Sequence, residues 1–149
     1  MGARRKARIC ALQMLFQYDI SRPSVDELIR MYWDEFGDEA GDVAQDFSNN
    51  LAVGAITHLE EIDALIKKRA ENWRINRMAV VDRNILRMAI YEYATQTTLS
   101  ESIIIAEAID LAKLFGAEST ARFVNGVLGA LASDDQDEVR RILSPESED

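Results

Sequence analysis

Proline is nearly absent. The 149-residue chain has two, Pro23 and Pro145, so little in the backbone forbids long helices. Cysteine and histidine occur once each, as Cys10 and His58, which rules out an internal disulfide and leaves neither residue a Cys or His partner for a zinc site. Helix packing or plain surface exposure is expected for both, and no metal or cofactor is expected. A continuous run of eighteen apolar residues is also missing, and the basic start runs on into Gln13, Gln17 and Asp19 without an apolar block and cleavage site. A membrane-spanning helix and a secretory leader are therefore not expected, and the cytoplasm is the expected location. No nucleophile stands at usable spacing from a base, and no glycine-rich loop is placed to cradle a phosphate. Carboxylate pairs such as Glu60 and Glu61, or Glu107 and Asp110, are common in acidic helical proteins and do not make a case for catalysis. The expectation is a protein that is not an enzyme.

What is present is charge, unevenly spread. The formal net charge is −9, a poor start for binding phosphates if it were uniform. The first eighteen residues, however, carry Arg4, Arg5, Lys6 and Arg8 and no acid, while residues 31–66 carry no Lys or Arg and run through acids from Asp34 to Asp63. Asp134, Asp135, Asp137 and Glu138, with Glu146, Glu148 and Asp149, add a negative end, which reads as a solvated or frayed tail.

Apolar residues recur at spacings of three and four, so the expected fold is all-α: a bundle of about seven helices in two packed helical subdomains. Within a single domain of residues 1–149, the N-terminal half spans about 3–70 and the C-terminal half about 78–143, with an acidic tail at 144–149. The first helix covers roughly 3–20, with Ile9, Leu12, Leu15 and Phe16 on one face, and stops before Pro23. Ser24 and Glu27 have capping-box spacing and open a short helix carrying Leu28, Ile29, Tyr32 and Trp33. An acidic loop is expected around Gly37 to Gly41. The series Val43, Phe47, Leu51, Ala55, Leu59, Ile62 and Ile66 reads as one long helix, in which Gly54 and a second capping box at Thr57 and Glu60 leave a break open. Asn72 to Met78 looks like the joint between halves. Three further helices follow, one from about Val81 to a Thr/Gln stretch at 95–98, one from Glu101 to Phe115 capped by Gly116, and one opened by Ser119 or Thr120. A last amphipathic piece runs from about Asp135 to Leu143.

The basic cluster carries the chemistry. Arg4, Arg5, Lys6 and Arg8 occupy the first turns of a helix, where the exposed N–H groups and the macrodipole favour anions. Cations there destabilise the helix slightly on their own and are relieved when phosphates approach, since side chains and helix terminus then attract the same ligand. An RNA-binding arm fits this pattern. Four neutralised phosphates on a single strand give a slope of roughly −3 in log K against log salt. A basic end that is merely solvated, or paired with the chain's own acids, is the competing reading. Among aromatics, Tyr18 and Phe123 are the first candidates for stacking on unpaired bases, although periodicity favours core positions for both. Asp82, Arg83, Arg87, Glu92 and Glu107 lie among apolar residues on helices that must pack, so structural ion pairs and a partner-binding role are both open.

Four segments together resemble one family. Ala3-Arg4-Arg5-Lys6-Ala7-Arg8, Asp82-Arg83-Asn84-Ile85-Leu86-Arg87 followed by Tyr91-Glu92, Ala106 to Lys113, and Phe123-Val124-Asn125-Gly126-Val127-Leu128 look like those of NusB, in family order, over about residues 3–132. The resemblance implies an all-helical, non-catalytic factor of transcription antitermination. It implies binding to single-stranded boxA RNA of nascent, chiefly ribosomal, transcripts together with the ribosomal protein NusE, within an RNA polymerase antitermination complex. By motif, the RNA surface would include Arg4, Arg5, Lys6 and Arg8, with Phe123 and Asn125, and the partner face would lie around Asp82 and Glu92. Two departures, Ala106 where the family commonly has Asn and the lack of a proline near Ser100, put local capping and packing in question. The alternatives are a NusB-like domain of the kind preceding ribosomal RNA cytosine methyltransferases, which would need a following αβ domain, and a helical protein-interaction scaffold. Whether the free protein is a monomer or a homodimer is open.

Overall fold

The computed structural model describes residues 2–40, 43–70, 78–95 and 99–143. Eight α-helices fill them, and no strand occurs among the described residues. The chain divides into two compact units, Met1–Thr57 and His58–Asp149. The division falls within the segment that reads as one long helix, not at the joint expected from Asn72 to Met78, most of which lies outside the described residues. The reason is a helix break: α3 (Val43–Thr57) ends and α4 (Leu59–Arg69) starts afresh after His58. The break, left open by the sequence, raises the expected seven helices to eight. His58 supplies no side-chain cap, so the Thr57 and Glu60 capping box is not what marks the new start. Glu60 and Glu61 at the first turn of α4 and Lys67, Lys68 and Arg69 at its last complement the helix dipole instead.

In the first unit, α1 (Ala3–Ser21) packs chiefly on α3 and also on α2 (Val25–Ala40). Its buried face is Ala7, Cys10, Ala11, Leu12, Met14 and Leu15, with Ile9 and Phe16 only half-buried. The small residues Ala7 and Ala11 let α3 approach with its own Ala52 and Ala55 buried. The seam is fixed by the buried Ser48 hydroxyl, which donates to the Ala7 carbonyl at 2.8 Å. Helix α2 opens on the expected capping box, with the Glu27 N–H donating to Ser24 Oγ at 3.2 Å and the Ser24 N–H to Glu27 Oε1 at 3.4 Å. It then runs through Gly37 to Ala40, so the loop expected from Gly37 is helical up to that point, and Gly41 is outside the described residues. Tyr32 and Trp33 satisfy their polar ends on neighbouring helices, at Gln13 Oε1 (2.6 Å) and Asn49 Oδ1 (2.7 Å).

The second unit comprises α4, α5 (Val80–Thr95), α6 (Glu101–Phe115), α7 (Thr120–Asp134) and α8 (Gln136–Leu143). Its core takes Ile62, Leu65, Ile66, Ile85, Leu86, Ile104, Leu111, Val124 and Leu128 among others. Buried Arg87 meets Asp63 of α4 through two parallel bonds, Nε to Oδ1 and Nη2 to Oδ2, each 2.9 Å, and gives Nη1 to Asn84 Oδ1 at 3.0 Å. A planar guanidinium suits this two-point geometry.

The acidic end is not a solvated tail over its described part. Asp135 is 5% exposed and receives the Lys68 ammonium at 2.8 Å on one oxygen and Arg69 Nε on the other. Glu138 shares Lys68 at 2.7 Å, and Asp134 lies 3.6 Å from Arg69. These acids bind the α7–α8 junction to the C-terminal end of α4, while 144–149 lie outside the described residues.

Gly116 caps α6 as expected, but for another reason. Its φ is −96°, so no left-handed conformation calls for glycine. A β-carbon would instead lie 2.6 Å from the Cβ and Oγ1 of Thr120 and 2.7 Å from its Cγ2. Ser100, where the family's proline is absent, caps α6 by accepting from the Ile103 N–H at 3.3 Å.

Two outcomes follow. Gly116→Ala, which forces a β-carbon against the buried side chain of Thr120, lowers unfolding free energy by about 1–3 kcal/mol in urea denaturation. The Arg69 and Lys68 hydrogen bonds hold the Asp135 carboxyl down at about 2, below the value of about 3.9 for an unfolded aspartate. A depressed carboxylate contributes stability above its unfolded value and loses it as pH falls through its folded one. Thermal unfolding followed between pH 5 and about pH 2 therefore shows a falling midpoint in the native chain and a shallower fall in Asp135→Asn, which is also less stable at neutral pH.

Candidate nucleic-acid interface

The basic cluster is carried by the first turns of α1. Gly2 precedes the helix without a side-chain cap, and no acid occupies the first turn. The helix start is thus electrically open, with uncompensated N–H groups and cations at one end. Along this helix the four basic residues are not equivalent. Arg4 and Lys6 are exposed and Arg5 is half-buried, whereas Arg8 is 4% exposed. Arg8 is therefore covered where Arg4 and Lys6 reach solvent, which sets it apart from the expected group of four. One helical turn after Arg4, it lies on the face turned to α3.

The guanidinium carbons of Arg4 and Arg8 stand 5.1 and 5.5 Å from the centre of the Phe47 ring. Phe47, on α3, was expected as one step in an apolar series, and it is half-buried. A guanidinium over an aromatic ring within about 6 Å is attracted by the ring quadrupole. The signal for Phe47 was available in its neighbours, since it is the one apolar residue in Gln45-Asp46-Phe47-Ser48-Asn49-Asn50.

Tyr18 lies toward the other end of α1, half-buried, with the Arg22 guanidinium 4.7 Å from its ring centre. Arg22 adopts the left-handed conformation, φ 50° and ψ 49°, and its N–H closes the helix on the Tyr18 carbonyl at 2.9 Å. A non-glycine residue there is uncommon. Its side chain is held by the Tyr18 ring and, at 3.8 Å, by Asp19.

In the second unit, Phe123 and Asn125 lie on α7, Phe123 half-buried and Asn125 exposed. Phe123 is engaged within the chain, so it is not a bare stacking platform. Of the two partner-face candidates, Glu92 is 2% exposed and engaged within the chain, because its position on α5 turns it into the core. Asp82 is half-buried and accepts a hydrogen bond from Thr120 Oγ1 at 2.8 Å, while the same hydroxyl oxygen accepts from the Ala117 N–H at 3.0 Å. Asp82 thus serves the interior of its own unit by fixing the start of α7 on α5, and Glu92 is covered from solvent. His58 lies beside Tyr91 with ring centres 6.1 Å apart, and burial raises the Tyr91 hydroxyl above its ordinary value. Among the described residues no group of three potential metal ligands occurs, and no helix is long and apolar enough to cross a membrane.

With this geometry in hand, the family model for NusB matches residues 5–133. The chain belongs to the NusB family. It is 43% identical over 141 residues to the transcription antitermination protein NusB of Desulforamulus reducens, covering 95% of this chain and 96% of that one. To the NusB of an Exiguobacterium species it is 41% identical over 132 residues, covering 89% and 98%. Among solved structures it is similar to T. maritima NusB, with a TM-score of 0.78 at 33% identity over 91% of this chain and 96% of that one. A crystal structure of the antitermination factors NusB and NusE in complex with double-stranded RNA matches with a TM-score of 0.78 at 29% identity, covering 89% and 98%. In keeping with these transcription factors, the chain is not an enzyme.

The difference in burial along α1 has a measurable consequence. Arg8→Ala lowers unfolding free energy by about 1–3 kcal/mol, whereas Lys6→Ala leaves it within about 0.5 kcal/mol, in parallel denaturant titrations.

Proposed function

We propose that this chain is an antitermination factor that binds boxA-type single-stranded RNA of nascent, chiefly ribosomal, transcripts through the start of α1, together with the ribosomal protein NusE. One observation carries the reading: Arg4 and Lys6 are exposed, with Arg5 beside them, at a helix start that has neither a side-chain cap nor a first-turn acid. Phosphates neutralise the cations and complete the open N–H groups in one step. The solved complex of a similar NusB with NusE and RNA supports the pairing of partners.

Contacts to phosphate position a strand but do not read it. Sequence preference then comes from the exposed Asn125, from Phe123 and Tyr18 where a base can reach their rings, and from NusE. The factor acts in the bacterial cytoplasm as part of the antitermination complex on RNA polymerase.

The test is affinity for a boxA-containing strand against a scrambled one, with and without NusE, at two salt concentrations. The boxA strand binds more tightly, most clearly with NusE present, with a salt slope of roughly −2 for the three cations left at the start of α1 once Arg8 is covered, not the −3 of four. Replacing Arg4 and Arg5 by Ala reduces the slope by about 1.4, at about 0.7 per lost phosphate contact. No preference for boxA in either condition overturns the proposal, and an unchanged slope removes α1 from it.

A further inference from the structure

We infer that Phe47 of α3 is a positioning residue for RNA binding, holding the exposed Arg4 guanidinium toward phosphate on a ring that the buried Arg8 also contacts. The inference rests on the reading of α1 as the phosphate-binding element. Its geometric basis is the pair of guanidinium carbons 5.1 and 5.5 Å from one ring centre.

Arg4 and Arg8 are one turn apart on the same face of α1, so their side chains are brought together by the helix itself. Two like charges at that spacing repel, and an exposed arginine in a first helical turn has many rotamers to lose on binding. The Phe47 ring offsets both costs. It attracts each cation through its negative face, and it gives the exposed Arg4 a surface to lie on beside the buried Arg8. The ring is in turn fixed, because the next residue, Ser48, is tied at 2.8 Å to the carbonyl of Ala7, the residue just before Arg8 on α1. Arg4 is thereby set before the strand arrives, which reduces the ordering cost of binding. The ligand chemistry this suits is a phosphodiester backbone, since a guanidinium held by its face on a ring still directs its N–H edge at phosphate oxygens.

The test uses the full chain and the same boxA strand. Phe47→Leu, which keeps an apolar side chain without a ring, weakens binding about threefold to fivefold with little change in salt slope, because Arg4 still meets its phosphate but is no longer held. Phe47→Trp retains affinity within about twofold, since indole is the stronger cation-binding ring. In an Arg4→Ala background the effect of Phe47→Leu shrinks by more than half, the signature of two residues acting together. Thermal unfolding of each variant checks that the fold is kept, and Phe47→Tyr stands in if Phe47→Trp does not fold. An equal loss for Phe47→Leu with and without Arg4, or a ring-bearing variant as weak as Phe47→Leu, overturns the inference while leaving the RNA reading in place. If Arg4→Ala alone changes neither affinity nor slope, the α1 phosphate reading fails, and the inference with it.

Discussion

At the point where α7 gives way to α8, Asp135 has one oxygen on Lys68 and the other on Arg69. A carboxylate brought this far from water is tolerable only when both oxygens are met. Meeting them fixes the junction of the last two helices on the end of α4. The Asp63 and Arg87 pair ties α4 to α5, and Asp82 ties α5 to the start of α7 through Thr120. The second unit is thus closed by charged and polar links between helices whose apolar stripes alone would permit several alignments. In the first unit the same part falls to the Ser48 hydroxyl, laid across a seam of alanines small enough to bring it within reach.

Much of the helical layout was legible in the sequence. Low proline content, a three-and-four rhythm and the Ser24 and Glu27 cap each act over a few residues, and short-range effects can be read from short windows. The limits of α1 and α6 were read closely for that reason. The acidic end was misread because its cations, Lys68 and Arg69, lie on another helix far back in the chain, and no local window pairs them with Asp135. Gly116 was placed correctly for the wrong cause: a cap glycine suggests backbone freedom, but here the requirement is the space taken by the side chain of Thr120.

The candidate site was legible as composition more than as geometry. Four cations without an acid point to an anion-binding end, but the sequence does not say that Arg8 is covered while Arg4 and Lys6 are not. Phe47 passed for core because periodicity records which residues leave water, not whether aliphatic carbon or a guanidinium covers them. Glu92 was left open between a structural ion pair and a partner face, because a charge among apolar residues on one helix does not name its partner, and its burial favours the structural side. Tyr18 and Phe123 were recognised as aromatics of interest, and each proved half-buried and already engaged by the chain.

The connection between α6 and α7, residues 116–119, looks like any short surface link. Such links commonly accept inserted residues, because added length costs little entropy. This one has no slack to give. At one end glycine leaves no room for a β-carbon, and at the other Thr120 is held both by Asp82 and by the Ala117 N–H. Its length is therefore under the same constraint as the core, and evolutionary insertions belong elsewhere on the chain.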